Sequence, residues 1–166
     1  MSELTWLEGY SGQTVEQLLA LEGTHRIDSL VLAFEEALDQ KAARAGAQSL
    51  TDEEHIVLAV EALEREVNNG GYDQFLVNSS REFAPVIVGA LQCIGCARTA
   101  DITQKALQAL HLSVVTVDAI EELICTDDPD RSEILADCDR EYFESSEDIE
   151  GQLFEFIKVN KSRIRP

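Results

Sequence analysis

The sequence predicts an all-α fold, a single-domain bundle of about seven helices over residues 1–166. Apolar residues recur at three-and-four spacing along nearly the whole chain, only three prolines interrupt it, and no segment sustains the alternation of a half-buried strand. A chain of 166 residues with 45% hydrophobic content can bury one core and is short for two.

The elements follow in order. After an irregular start over residues 1–12, a short helix near Thr14 to Leu21 ends at Gly23. A second, Arg26 to Ala45, places Ile27, Leu30, Val31, Phe34, Ala37 and Leu38 on one face and stops at Gly46. Thr51 and Glu54 form a capping box that opens the third, whose inner stripe is Ile56, Val57, Val60, Leu63 and Val67. A short fourth helix covers Tyr72 to Val77. A fifth, Phe83 to Cys96, is apolar nearly all round and reads as central. The sixth spans Asp101 to Ile124. Its Val114 to Val117 stretch is β-branched, but a lone strand would have nothing to pair with, so it is read as helix.

Asp128 caps the next helix, with Pro129 at its first position, where a missing N–H costs nothing. Ile134, Leu135, Cys138 and Tyr142 form its inner face, while Asp130, Glu133, Asp137, Glu141 and Glu144 follow each other at intervals of three or four along another. Ser145 and Asp148 read as a capping box for a last helix through Leu153, Phe154, Phe156 and Ile157. Lys158, Lys161, Arg163 and Arg165 make residues 159–166 and their approach the only basic cluster.

Composition excludes several classes. No run approaches the eighteen or so apolar residues of a membrane span, and MSELTWLEGYSG lacks the basic start and apolar stretch of a secretory signal, so a cytoplasmic protein is expected. Cys93, Cys96, Cys125 and Cys138 lack zinc-ribbon spacing, and the CIGC pair lies in an apolar run that points both thiols at the core, as reduced cysteines. Thirty-two acidic residues against thirteen basic ones give a net charge of -19, where small soluble domains sit comfortably at a magnitude of roughly 2 to 8. Such a surface repels nucleic acid and anionic membranes, so a charged partner should be basic.

Enzyme chemistry finds little support. His25, His55 and His111 stand far apart, and no HExxH, phosphate loop or nucleophile elbow occurs. An EF-hand begun at Asp128 or Asp137 would need glycine where Glu133 or Tyr142 stands. No metal, cofactor or catalytic residue is therefore expected.

One stretch departs from plain amphipathic helix: EREVNNGGYDQF, Glu64 to Phe75. Asparagine and glycine best tolerate the conformations that end a helix, so Asn68, Asn69, Gly70 and Gly71 can stop the third helix and turn the chain. Tyr72 and Phe75 can then pack back on the bundle, while the amides of Asn68, Asn69, Gln74 and Asn78 satisfy backbone groups freed at the helix ends. A polar enzyme pocket around Glu66, Asn69, Gln74 and Asn78 is the competing reading, although it offers no nucleophile.

The run from Glu66 to Asn78 resembles a motif of bacterial DNA-mimic proteins and their uncharacterised relatives, Glu-Val-Asn-Asn-Gly-Gly-Phe-x-Gln-Phe-Phe-x-Asn. Tyr72 stands where phenylalanine is usual and Leu76 replaces a second aromatic. The context from about Arg26 to Gly95 and the closing SSEDIEGQLFEFIKVNK are also similar to that family. The resemblance implies an all-α homodimer without established catalytic residues. It leaves the mimic role to charge placement.

Fourteen acidic residues lie between Asp118 and Glu150 against only Arg131 and Arg140, which is -12 of the total -19. With a rise of about 1.5 Å per residue, carboxylates three or four apart repeat every ~4.5 to 6 Å, of the order of the phosphate spacing along one strand. The sequence therefore predicts a partner-binding acidic face of Asp130, Glu133, Asp137, Glu141 and Glu144, with Glu121 and Glu122 nearby, presented to a basic DNA-binding protein such as a transcription factor or nucleoid protein. The bland alternatives are a solvated face kept for solubility, a face neutralised by the basic tail of a second subunit, or an immunity-type surface that does not imitate DNA.

Overall fold

The computed structural model describes residues 3–166, and it is helical: eight α-helices, two 3-10 turns and no strand among the described residues. The helices are α1 (Val15–Leu19), α2 (Ile27–Ala45), α3 (Asp52–Val77), α4 (Ile87–Cys93), α5 (Ala97–Gln108), α6 (Val117–Ile124), α7 (Pro129–Glu144) and α8 (Ile149–Val159). The first two residues of the irregular N-terminal segment lie outside the described residues. The backbone separates into two compact units, one comprising the chain up to Glu61 with Asp148–Pro166, the other Ala62–Glu147.

In the first unit α2 packs on α1 and α8. Its buried side chains include Leu18, Leu30, Phe34, Leu38, Leu153, Phe154 and Ile157, each worth roughly 1.5–3 kcal/mol when fully removed from water. Local chemistry sets the helix starts. Thr14 and Gln17 form a capping box on α1. The second box, at α3, is the more heavily used: Thr51 Oγ1 accepts the Glu54 N–H at 3.1 Å, and the Glu54 carboxylate accepts the Thr51 N–H at 2.9 Å. That carboxylate is fully buried, and it also accepts Lys41 Nζ at 2.8 Å and the Arg165 N–H at 2.7 Å. Arg163 Nε pairs with Glu53 at 3.3 Å, and Lys158 pairs with Glu22 and Glu155. Lys158 and Arg163 of the basic C-terminal cluster are thus paired within their own unit.

In the second unit α5 packs on both α4 and α7. Tyr72, Phe75, Leu76, Ile87, Leu91, Ile102 and Ile120 are its most deeply buried large side chains. The elements depart from the sequence expectations at several places. The expected helix Phe83 to Cys96 shrinks to α4, preceded by a 3-10 turn Ser79–Phe83, because Pro85 has no N–H to continue a ladder. At its other end Gly95, at φ 86°, closes a Schellman turn in which the Cys96 N–H reaches Leu91 O at 2.9 Å. That turn buries Cys96 and leaves Cys93 exposed, so only one of the two thiols points inward.

The expected helix Asp101 to Ile124 is two helices. α5 ends at Gln108, His111 takes a positive φ of 52°, and the β-branched Val114 to Thr116 run is not helical, with an extended Thr116 that caps α6 through the Ala119 N–H at 3.2 Å. On α7 the core face is Arg131, Leu135, Cys138 and Tyr142, so Ile134 lies outward at 38% exposure rather than inward. Finally Asp148, not Ser145, caps α8, accepting the Gly151 N–H at 3.0 Å. The segment before it stays extended because Glu147 is held at the start of α5.

The Glu54 cluster generates a test. Glu54→Ala removes the acceptor of the Arg165 N–H and the counter-charge of Lys41, whose ammonium keeps only Arg165 O at 2.9 Å, and should cost about 3 kcal/mol in denaturant unfolding. Thr51→Ala, which removes one cap acceptor, should cost about 1 kcal/mol.

Candidate functional site

Two groups of residues singled out by sequence lie in the second unit, and both are built around carboxylates. The first is the corner inside α3. Helical dihedrals persist through Asn69 and break at Gly70 (φ -161°) and Gly71 (φ 78°) before the helix resumes at Tyr72. Gly71 combines a left-handed φ with a close neighbour, because a Cβ there would overlap the carboxylate of Asp139 from α7. Asp139 Oδ1 instead accepts the Tyr72 N–H at 2.8 Å. It therefore caps the second half of α3 from another helix, the role a local Ser or Asp plays at an ordinary N-terminus.

Glu66 is the centre of the corner. Its buried carboxylate accepts Gln74 Nε2, Asn78 Nδ2 and Ser80 Oγ, each at 2.9 Å. Burial pushes this carboxyl up, but the three hydrogen bonds and nearby Arg65 outweigh it and hold Glu66 below its ordinary range. Gln74 and Asn78 thus serve a carboxylate rather than freed backbone groups. Asn68 does meet a backbone group, donating to Glu64 O at 2.7 Å, while Asn69 is exposed. Tyr72 is buried with its hydroxyl 2.8 Å from Thr103 Oγ1 and its ring edge-on to Tyr142, centroids 6.1 Å apart; burial drives the phenol far above its ordinary value. Phe75 is fully buried. The Glu66 carboxylate is thereby occupied by three neighbouring donors, which is the chemistry of a structural joint.

The second group is the acidic face. Asp130, Glu133, Asp137 and Glu144 are all exposed on α7, and Glu121 and Glu122 are exposed on α6. Glu141 departs from this set: it is half-buried and bridges to α5, receiving Arg98 Nη2 at 3.1 Å and Lys105 Nζ. The Lys105 hydrogen bond holds Glu141 below its ordinary range. Asp137 pairs with Arg140 one turn on, and Glu121 with Arg81 at 3.1 Å. A shallow polar depression of about 410 Å³, lined by Arg98, Glu141, Glu144, Ser145, Ser146 and Glu147, lies by the end of α7. No group of three or more His, Cys, Asp or Glu side chains is placed to hold a metal ion among the described residues.

Other functional carboxylates escaped sequence reasoning. Glu147 accepts the Thr99 N–H and hydroxyl, each at 2.7 Å, and the Arg98 N–H at 3.0 Å, capping α5 from a distant segment. Burial raises this carboxyl, yet these bonds bring it below its ordinary range. Asp139 carries one such bond, and there burial prevails and its pKa is raised. Arg131 is buried and donates to Leu123 O and Thr126 O at the end of α6. A sequence signal existed only for Ser80, two residues past Asn78; the others depend on packing.

The chain is helical, and its carboxylates are partly used as helix caps and partly displayed along one helix. It belongs to the DMP19-like protein family, which it matches over residues 48–160, a family named for a DNA mimic. No match was found among curated proteins. No helix among the described residues is long and apolar enough to cross a membrane.

The corner yields two expectations. Glu66→Gln should lower stability by about 1–3 kcal/mol at neutral pH, and Gln74→Ala should do so too, whereas Asn69→Ala should stay within about 0.5 kcal/mol. Because the folded pKa of Glu66 is depressed, its contribution is present above the unfolded carboxyl value and is lost as pH falls through the folded one. Urea melts from neutral pH down into the acid range should therefore converge for wild type and Glu66→Gln.

Proposed function

We propose that the protein is a cytoplasmic, non-enzymatic DNA mimic that acts as a homodimer, occupies the DNA-binding surface of a basic protein such as a transcription factor or nucleoid protein, and blocks DNA access. The observation that carries this reading is the solvent face of α7. Asp130, Glu133, Asp137 and Glu144 stand there at intervals of three, four and seven residues, all exposed. At about 1.5 Å per residue, the first three carboxylates follow each other at ~4.5 and ~6 Å, spacings a groove shaped for phosphates can accept.

Family membership supports the class of activity, and the geometry refines the residues. Glu141 faces Arg98 and Lys105, so its role is to hold α7 against α5 and keep the ridge straight. Glu144 lines the polar depression, where an incoming cationic side chain would also meet the negative end of the α7 dipole. Arg140 interrupts the ridge beside Asp137. A partner would therefore read a pattern of charge rather than a uniform anionic stripe.

Immobilised protein should capture a basic DNA-binding protein at low salt, and excess duplex DNA should release it. Affinity should fall steeply as salt rises. The triple variant Asp130→Lys, Glu133→Lys and Glu144→Lys should lose capture with its melting temperature preserved. A captured partner that ignores duplex DNA would instead indicate an acidic inhibitor of the immunity type, and capture retained by the triple variant would remove α7 as the binding face.

A further inference from the structure

We infer that a charge-free groove in the second unit is the surface on which a second copy of this chain docks; this rests on the dimeric reading above and adds the place of contact. The groove encloses about 330 Å³, and Val88 of α4, Leu107 of α5 and Leu112 line it beside the uncharged polar side chains of Gln104, Gln108 and Ser113. Next to lining residues in sequence stand Val86 and Val114, which are 52% and 67% exposed. Exposed apolar side chains gathered at a hollow mark an interaction surface.

Charge selects the occupant. From Ala84 to Ala97, and again from Ala106 to Val117, the chain carries no Asp, Glu, Lys or Arg, although the protein as a whole carries -19. A basic partner is drawn to the acidic surface and gains nothing from this neutral one. Two copies of a polyanion, by contrast, meet the least repulsion where local charge is absent, since facing carboxylates are only partly screened within about 8–10 Å of each other. A two-fold interface would seat the exposed Val114 of each copy, next in sequence to the lining residues Ser113 and Val115, against the other's groove.

An interface of this kind has a salt dependence opposite to that of mimic binding. Screening weakens the repulsion and leaves the apolar contact intact, so dimerisation should strengthen as salt rises from about 50 mM to about 500 mM. Sedimentation equilibrium of the full chain tests this. Val114→Glu should weaken the dimer by at least about tenfold at every salt concentration. Val159→Glu, 80% exposed but outside the groove, should leave it unchanged. A dimer that survives Val114→Glu, or one that weakens as salt rises, overturns the groove assignment and leaves the dimeric reading standing. A wild-type monomer under all conditions overturns both, while capture by the lysine variants still judges the mimic role separately.

Discussion

Negative charge repels itself, and a chain with 32 acidic and 13 basic residues has to fold against that repulsion. The structure meets this constraint by turning a subset of its carboxylates inward as hydrogen-bond acceptors. Glu36 accepts the Tyr10 N–H at 2.7 Å, Glu54 closes the start of α3, Glu66 ties the corner, Asp139 caps the resumed helix and Glu147 caps α5. Helix starts carry orphan N–H groups and a partial positive charge, so a carboxylate placed there supplies the missing acceptor, even where, as at Asp139, burial still raises its pKa. Acidity that would be a burden on the surface becomes part of the frame.

That use of carboxylates changes what the acidic segment means. Of the fourteen acidic residues between Asp118 and Glu150, seven are engaged: Glu121 and Asp137 with arginines, Glu141 with Arg98 and Lys105, and Asp128, Asp139, Glu147 and Asp148 with backbone N–H groups. A count of charge therefore overstates the charge on display. What remains outward on α7 is narrower and more patterned, and it is held in place by the same bridges that remove Glu141 from it. Recognition surface and fold share side chains, which is why α7 can be acidic on one face and still pack through Leu135, Cys138 and Tyr142 on the other.

The corner illustrates a different economy. Gly71 is needed both for its left-handed backbone and for the absence of a Cβ where Asp139 approaches. Gly70 has an extended φ, and a Cβ there would crowd the Gln74 side chain that reaches Glu66. The two glycines thus answer to two different carboxylates. This joint breaks the helix at the two glycines while the Glu66 carboxylate keeps three hydrogen bonds across the break.

Sequence by itself determined the helical class, because three-and-four periodicity and the scarcity of proline act locally and need no knowledge of the rest of the chain. It also located the capping box at Thr51 and Glu54, the Asp128–Pro129 start of α7 and the break at Asn-Asn-Gly-Gly, all of which are settled within a few residues. Tertiary structure alone decided which carboxylates face solvent. Asp139 and Glu147 meet N–H groups 67 and 48 residues away, Glu141 meets a lysine 36 residues away, and Ile134 is outward because Arg131 and Leu135 set the inner face of α7. It likewise decided that Val114 to Thr116 is not helical, where β-branching and a cap at Thr116 outweighed a weak helical pattern. Periodicity reports a face of a helix, whereas the partner of that face is chosen by residues far away in the chain.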